Sequence, residues 1–168
     1  VRALVSVDDV DGVVAATGDE NREVRVAAAA GLATLGGAEG GRAVSALVVD
    51  PDPLVRAAAL AALGELGCSA DEFAAVEKAL QAPAWQVRVG AVRALSGATA
   101  ELSVPAISGL AQAVADAHLD VRKAAVLSLT RWAGEAAAHD ALSTALKDSD
   151  ADVRAYARRA LDSASSLH

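Results

Sequence analysis

Residues 50–67, DPDPLVRAAALAALGELG, decide the fold. Asp52 offers a side-chain oxygen to the free N–H groups of a first helical turn, and Pro53 fits the first helical position, where its missing N–H would be unpaired anyway. From Val55 the stretch is rich in Ala and Leu, and Gly67 supplies a helix stop. Val55, Ala59, Leu63 and Leu66 stand at offsets of 0, 4, 8 and 11, which is one narrow stripe at 3.6 residues per turn. Such a helix buries one face against neighbours, and those neighbours are found by moving outward along the chain.

The Val-Arg pair of this stretch recurs as Val24-Arg25, Val55-Arg56, Val87-Arg88, Val121-Arg122 and Val153-Arg154, at intervals of 31, 32, 34 and 32 residues. A near-constant period of this length marks a stacked-repeat protein, in which each unit buries its apolar face only against its neighbours. Counting from each Val, the +4 column is Ala28, Ala59, Ala91, Ala125 and Ala157, and the +8 column is Leu32, Leu63, Leu95, Leu129 and Leu161. The +11 column is Leu35, Leu66, Ala98, Trp132 and Ala164. Three residues before each Val stand Asn21, Asp52, Ala84, His118 and Asp150, so the third and fourth units lack the best capping residues.

A second amphipathic segment precedes each Val, over about 8–18, 40–49, 70–81, 104–116 and 136–147. Ser69 and Glu72 have capping-box spacing for the third of these, and Pro105 marks the start of the fourth. Gly36-Gly37, Gly40-Gly41, Gly67 and Gly134 are expected between helices as stops. The reading is ten helices in five antiparallel pairs, with residues 1–7 as the tail of a preceding helix. Arg158 and Arg159 replace the apolar +5 and +6 residues of the second and fourth units, which makes the fifth unit a polar C-terminal cap, and 163–166 should fray.

Composition narrows the function classes. The 168 residues include 54% hydrophobic but only 2% aromatic side chains, so the core is built from small groups and helices can approach closely. No Met is present and the chain begins at Val1, which reads as an excerpt of a longer product. A net charge of −7 disfavours nucleic acid and anionic lipid as partners, because both are held by clustered Lys and Arg. One cysteine, Cys68, permits neither an internal disulfide nor a thiolate zinc site, and there is no long apolar run or leader-like start. A cytoplasmic protein from a reducing compartment is expected, with no membrane partner.

At this point the pattern resembles the HEAT-repeat family, in particular the short bacterial repeats of the phycobilisome-lyase type. The segments 50–67 and DSDADVRAYARRAL (148–161) carry the resemblance, which covers essentially the whole chain. It implies an all-α fold, an α-solenoid forming a right-handed superhelix of five HEAT-like helical hairpins. The single domain spans 1–168, with repeats at about 8–36, 40–67, 69–98, 103–134 and 136–164. It also implies that second helices line the concave side, and that a structural ladder of Arg25, Arg56, Arg88, Arg122 and Arg154 meets Asp52, Asp120, Asp152 and their neighbours.

On that layout the groove is lined by the +2, +6 and +9 positions. They are nearly featureless in the first two units, then read Val89, Arg93, Ser96; Lys123, Leu127, Thr130; and Ala155, Arg159, Asp162. Arg93, Lys123 and Arg159, with Arg131 at the edge, are either ordinary solvated charges or a basic strip for an acidic peptide or partner helix. Trp85, in the turn before Val87, is a candidate anchor, since Trp is over-represented in binding hot spots; Trp132 falls in a core column. Acidic residues cluster in the turns (Asp19, Glu20, Glu23; Asp50, Asp52; Asp116, Asp120; Asp148, Asp150, Asp152), where capping and pairing with arginines is the plain role. Asp148, Asp150 and Asp152 alternate as calcium ligands do, but the loop Gly and distant Glu are missing.

No nucleophile–base pair, phosphate-cradling loop or metal spacing stands out, so neither catalytic residues, metal nor cofactor is assigned. Deoxyhypusine hydroxylase, of similar architecture, uses His-Glu pairs, and this chain's His118, His139 and His168 form none. HEAT-like DNA glycosylases use a basic, aromatic concave face, which the charge and the few aromatics oppose. The reading is a non-catalytic protein-interaction or scaffolding module, a domain of a larger protein that binds through Trp85, Arg93, Lys123, Leu127, Arg131 and Arg159. The alternative is an accessory or lyase-like subunit holding a substrate protein for a reaction done elsewhere.

Overall fold

The computed structural model describes residues 10–165, so the helix tail expected at 1–7 lies outside the described residues. Ten α-helices follow one another in five hairpins: α1 (Val10–Ala15) with α2 (Arg22–Leu35), α3 (Gly37–Leu47) with α4 (Pro53–Leu66), α5 (Ala70–Ala79) with α6 (Trp85–Ser96), α7 (Ser103–Ala113) with α8 (Leu119–Leu129), and α9 (Ala136–Ala145) with α10 (Ala151–Ser165). The fold is an all-helical solenoid. Second helices α2, α4, α6, α8 and α10 pack successively side by side, and each first helix lies against its own partner. No strand forms among the described residues; Cys68 and Ala98 make an isolated bridge that ties the loops ending the second and third units.

The columns behave as the helical stripe requires. All five alanines at +4 are buried, as are Leu32, Leu63, Leu95 and Leu129 at +8. The +5 column also faces inward in the first four units, as Ala29, Leu60, Val92 and Val126, each fully buried. In α10 that position is Arg158, which is exposed. Among the described residues no polar or charged side chain is buried in the core. Its cohesion is therefore dispersion and the hydrophobic effect, spread along a line rather than gathered at one centre.

Helix starts follow the local chemistry, with two differences from expectation. Asn21 and Asp52 accept hydrogen bonds from Glu23 and Leu54 N–H, and Asp150 accepts from Asp152 and Val153. Ala84 makes no side-chain cap, but His118 does: its Nδ1 accepts from Asp120 N–H at 3.3 Å, because an imidazole nitrogen at this position reaches the same donor as a short carboxylate. The capping box forms, with Glu72 taking both the backbone N–H and hydroxyl of Ser69. Gly36, Gly37 and Gly67 adopt positive φ at helix ends, whereas Gly40 and Gly41 lie inside α3, which starts earlier than the sequence suggested. At the C-terminal end α10 remains helical to Ser165, with the Ser163 and Ser165 hydroxyls donating to carbonyls one turn back.

Glycine sets the closest helix approach. A Cβ on Gly64 of α4 would fall on the Arg93 carbonyl of α6, and one on Gly90 of α6 would sit 2.7 Å from the Ala57 oxygen. The α4–α6 contact is thus a backbone-to-backbone seam, which holds rigid the part of the surface where the candidate groove begins.

Candidate partner-binding groove

Each Val-Arg arginine does the same local job. Its Nη1 donates to two carbonyls of the turn that leads into its own helix: Arg25 to Asp19 and Glu20, Arg56 to Asp50 and Pro51, Arg88 to Ala82 and Pro83, Arg122 to Asp116 and Ala117, and Arg154 to Asp148 and Ser149. Three of them also reach the next turn with Nε and Nη2. Arg25 pairs with Asp50, Arg88 with Asp116 and Arg122 with Asp148, each through two hydrogen bonds of 2.7–3.3 Å. The carboxylates stand five residues before the next Val, not at Asp52, Asp120 or Asp152. Asp52 instead caps α4 and meets Arg22 of the preceding unit at 3.5 Å, Asp120 adjoins His118, and Asp152 pairs with Lys123 of the preceding unit, so these acids reach other cations than the repeated arginines.

The pairs are mostly shielded, with side-chain exposures of 16% and 8% for Arg122 and Asp148. The Arg122 hydrogen bonds hold the Asp148 carboxyl below its ordinary range against the opposing effect of burial. Stabilisation from this pair is therefore complete above the ordinary aspartate range near 4 and is lost as pH falls through the lower folded value. Arg122→Ala should cost roughly 1–3 kcal/mol, between the values for exposed and fully buried pairs. Arg93→Ala should change stability by no more than about 0.5 kcal/mol, since the Arg93 guanidinium is exposed and bonded to nothing among the described residues. In thermal melts the Asp148→Asn deficit should shrink between pH 7 and pH 3; a constant deficit, or equal losses for Arg122→Ala and Arg93→Ala, would remove the pair from the stability account.

The exposed face of α6 and α8 carries a groove of about 450 Å³ lined by Trp85, Val89, Arg93, Asp120, Lys123, Ala124, Leu127 and Ser128. Four of the six sequence-derived binding residues meet there. Trp85 stacks on His118 with ring centroids 4.1 Å apart and planes within 5°. Leu127 is 54% exposed beside them. Trp85 and Arg93 also border a shallower depression of about 270 Å³ between α4 and α6, floored by Ala57, Ala58, Ala61 and Gly90.

The other two residues lie apart. Arg131 donates to the Ser96 carbonyl at 2.6 Å and its guanidinium lies 4.9 Å from the Trp132 ring centroid, so it links the ends of the third and fourth units. Arg159 borders an open depression on α10 with Ala155, Arg158, Asp162 and Ser163. Lys123 does not act as an uncompensated cation. It pairs with Asp152 at 2.7 Å and Asp150 at 3.6 Å, chiefly the Asp152 hydrogen bond raising its pKa. With Asp120 also on the wall, the groove is an aromatic–apolar surface with one uncommitted guanidinium, Arg93, rather than a basic strip.

Single residues did not reveal the Trp85–His118 stack, yet the repeat register contains it. Trp85 stands two before its Val and His118 three before the next, so stacking successive units puts the two rings side by side. Lys123 meets Asp150 and Asp152 by the same one-unit step.

Metal and thiol chemistry find little to work with. Asp148, Asp150 and Asp152 face Arg122, a helix start and Lys123, respectively, and no cluster of three potential ligands occurs among the described residues. Cys68 is buried, and burial followed by the nearby Glu72 charge pushes its thiol up to about 11, which opposes nucleophilic reactivity. Among the described residues no helix is long and apolar enough to cross a membrane.

Comparison with solved structures agrees with this architecture. The complex of CpcE and CpcF of phycocyanin lyase from Nostoc sp. PCC7120 superposes with a TM-score of 0.74 at 20% identity, over 92% of this chain and 99% of that one. A designed armadillo repeat protein in complex with the peptide (KR)4 gives 0.67 at 21% identity, over 97% and 84%. YibA of E. coli gives 0.70 at 21% identity, over 90% and 57%. No curated protein sequence matches the chain. The sequence profile of HEAT repeats matches residues 10–96 and 73–162, together almost the whole described chain, and the protein belongs to the HEAT-repeat family.

Proposed function

We propose that the chain is a non-catalytic interaction module that holds a segment of a partner protein in the groove between α6 and α8. The observation that carries this reading is the Trp85 ring, pinned by His118 at 4.1 Å and set beside the exposed Leu127 and the uncommitted Arg93. A ring already held in place loses little freedom on binding, which is the condition under which an aromatic anchor contributes most to affinity. Arg93 gives an acidic residue of the partner a place beside the apolar anchors, while Lys123 orders the wall through Asp150 and Asp152. Arg131, in the turn just past α8, and Arg159, on α10, stand as outlying contacts. The lining, in which Trp85, Val89 and Leu127 are apolar and Lys123 is already paired, supports binding of a chain rather than conversion of a small molecule, which calls for convergent polar groups. A cytoplasmic setting suits the single buried thiol.

An accessory role in a lyase-like assembly is the second reading, and the likeness to the CpcE–CpcF complex over 99% of that chain favours keeping it. Both readings require a held partner. They differ in whether release of the partner follows its chemical modification.

The test is affinity capture from the source lysate with wild-type protein and a Trp85→Ala/Arg93→Glu/Leu127→Glu variant, both checked for helicity. Hot-spot truncation of this kind weakens binding by about tenfold or more. A partner retained by wild type and lost by the folded variant supports the groove; equal recovery by both rejects it. Mass analysis of the captured partner for a covalent adduct separates the two readings.

A further inference from the structure

We propose that the turn between α5 and α6 is a receptor for a carboxylate, presented by a partner segment that carries apolar side chains on either side of one Asp or Glu. This inference does not depend on the α6–α8 groove. It comes from a single break in the repeat pattern. The residue five before each repeated Val is Asp19, Asp50, Ala82, Asp116 and Asp148. Asp50, Asp116 and Asp148 each accept two hydrogen bonds from the arginine of the preceding unit, and Ala82 cannot. Arg56, the arginine that would meet it, keeps the Nη1 clamp on its own turn, to Asp50 O at 2.7 Å and Pro51 O at 3.0 Å. Its Nε and Nη2 donate to nothing among the described residues.

The clamp matters because it orients the guanidinium. In Arg25, Arg88 and Arg122 the same two-carbonyl contact presents the same Nε–Nη2 edge, and in all three that edge takes a carboxylate through two parallel bonds. Such a fork-to-carboxylate match is strong and directional, and here its orientation is already in place. The backbone at Ala82 is not the cause of the difference. Ala82 N–H donates to the Ala79 carbonyl at 3.1 Å, as Asp50 does to Leu47 at 3.1 Å, Asp116 to Ala113 at 3.2 Å and Asp148 to Ala145 at 3.1 Å. The turn is the same turn with one side chain shortened.

The surroundings define the rest of the ligand. Arg56 borders a cavity of about 500 Å³ whose walls include Val48, Val49, Ala79, Pro83 and Val87, with Lys78 on the rim. Val49 is 78% exposed, the largest exposure of any big apolar side chain described. A lone small carboxylate would leave those walls wet; a peptide with apolar neighbours covers them while its acid meets Arg56. The nearest carboxylate of the chain, Asp50, does not fill the role, since its oxygens are taken by Arg25 and by the Asp52 N–H.

The test uses two pools of N-acetylated, C-terminally amidated heptapeptides with randomised Val, Leu, Ala and Ser flanks, one with a central Glu and one with a central Gln, offered to immobilised protein. Wild type should retain the Glu pool over the Gln pool by about tenfold, the worth of a charge-assisted pair over a neutral one. Ala82→Asp should abolish that preference by supplying the acid internally, and should raise Tm as it completes the pairing. Arg56→Gln should also abolish it, while Leu127→Ala in the other groove should leave it intact. Equal retention of the two pools by wild type, including none of either, overturns the proposal. So does a preference that survives Ala82→Asp, or one lost in Leu127→Ala.

Discussion

Leu95→Ala should lower the free energy of unfolding by roughly 2–5 kcal/mol, among the largest losses available from one side-chain truncation in this chain. Leu95 is fully buried in the +8 column of α6, and a Cβ added at Gly109 of α7 would come within 2.9 Å of its Cδ1. Truncation removes apolar surface from the core and leaves a cavity between α6 and α7. Collapse cannot readily fill it, because α6 is already seated on α4 backbone to backbone at Gly64 and Gly90. The position is also central: a weak link in the third unit separates the two halves of a linear stack, so cooperativity should fall along with the midpoint. Denaturant titration reads both, the first as a lower midpoint and the second as a smaller slope or two phases. Leu127→Ala is the control, expected to stay within about 0.5 kcal/mol because that side chain is 54% exposed. A loss at Leu95 as small as at Leu127 would show that the +8 column does not carry the core.

The second large effect runs against helix propensity. In an isolated helix Gly64→Ala should stabilise by about 1 kcal/mol, because alanine loses less backbone freedom. In this protein it should destabilise by about 1–3 kcal/mol or more, because the new methyl would occupy the place of the Arg93 carbonyl and force α4 and α6 apart. Gly97→Ala should act alike, its methyl meeting the Gly64 carbonyl from the other side of the seam. Gly41→Ala supplies the opposite case: it lies inside α3 with nothing within 4 Å of the added Cβ, so propensity alone acts and the melting temperature should rise. Opposite signs for Gly64 and Gly41 confirm a close-packed seam; a rise for both would mean that the two helices stand further apart. Separation at this seam would also tilt Trp85 and Arg93 away from the α4 wall, so partner affinity should fall with stability in the Gly64 variant.

The columns explain why so much of the architecture was legible. A repeat states its instructions several times, so a weak cap such as Ala84 does not obscure a helix whose Val, Ala and Leu positions agree with those of four other units. Where the reading slipped, a local rule stood alone. Gly40 and Gly41 resembled a helix break, but their neighbours supply enough packing to carry α3 through them, with Gly40 buried against Leu32. His118 looked like a poor cap until its ring nitrogen was placed against the Asp120 N–H. Both are cases of tertiary or side-chain geometry outweighing residue-type preference.

What the sequence alone determined about this protein is its periodicity: the helical stripe, the pairing of helices and the order of units follow from 3.6 residues per turn and a repeat of 31–34 residues, because burial requires only that apolar positions recur on one face. Charge and surface chemistry were decided only in three dimensions. Lys123 reads as a basic groove residue until the next unit brings Asp150 and Asp152 to it, and Trp85 as a loose turn residue until His118 stacks on it. Arg56 is indistinguishable from its four counterparts until the turn across from it proves to carry Ala82. The physical reason is common to all three. An apolar side chain needs only a face to be buried, whereas a charge or a ring acquires its role from a particular partner a few ångströms away, and that partner comes from the neighbouring repeat.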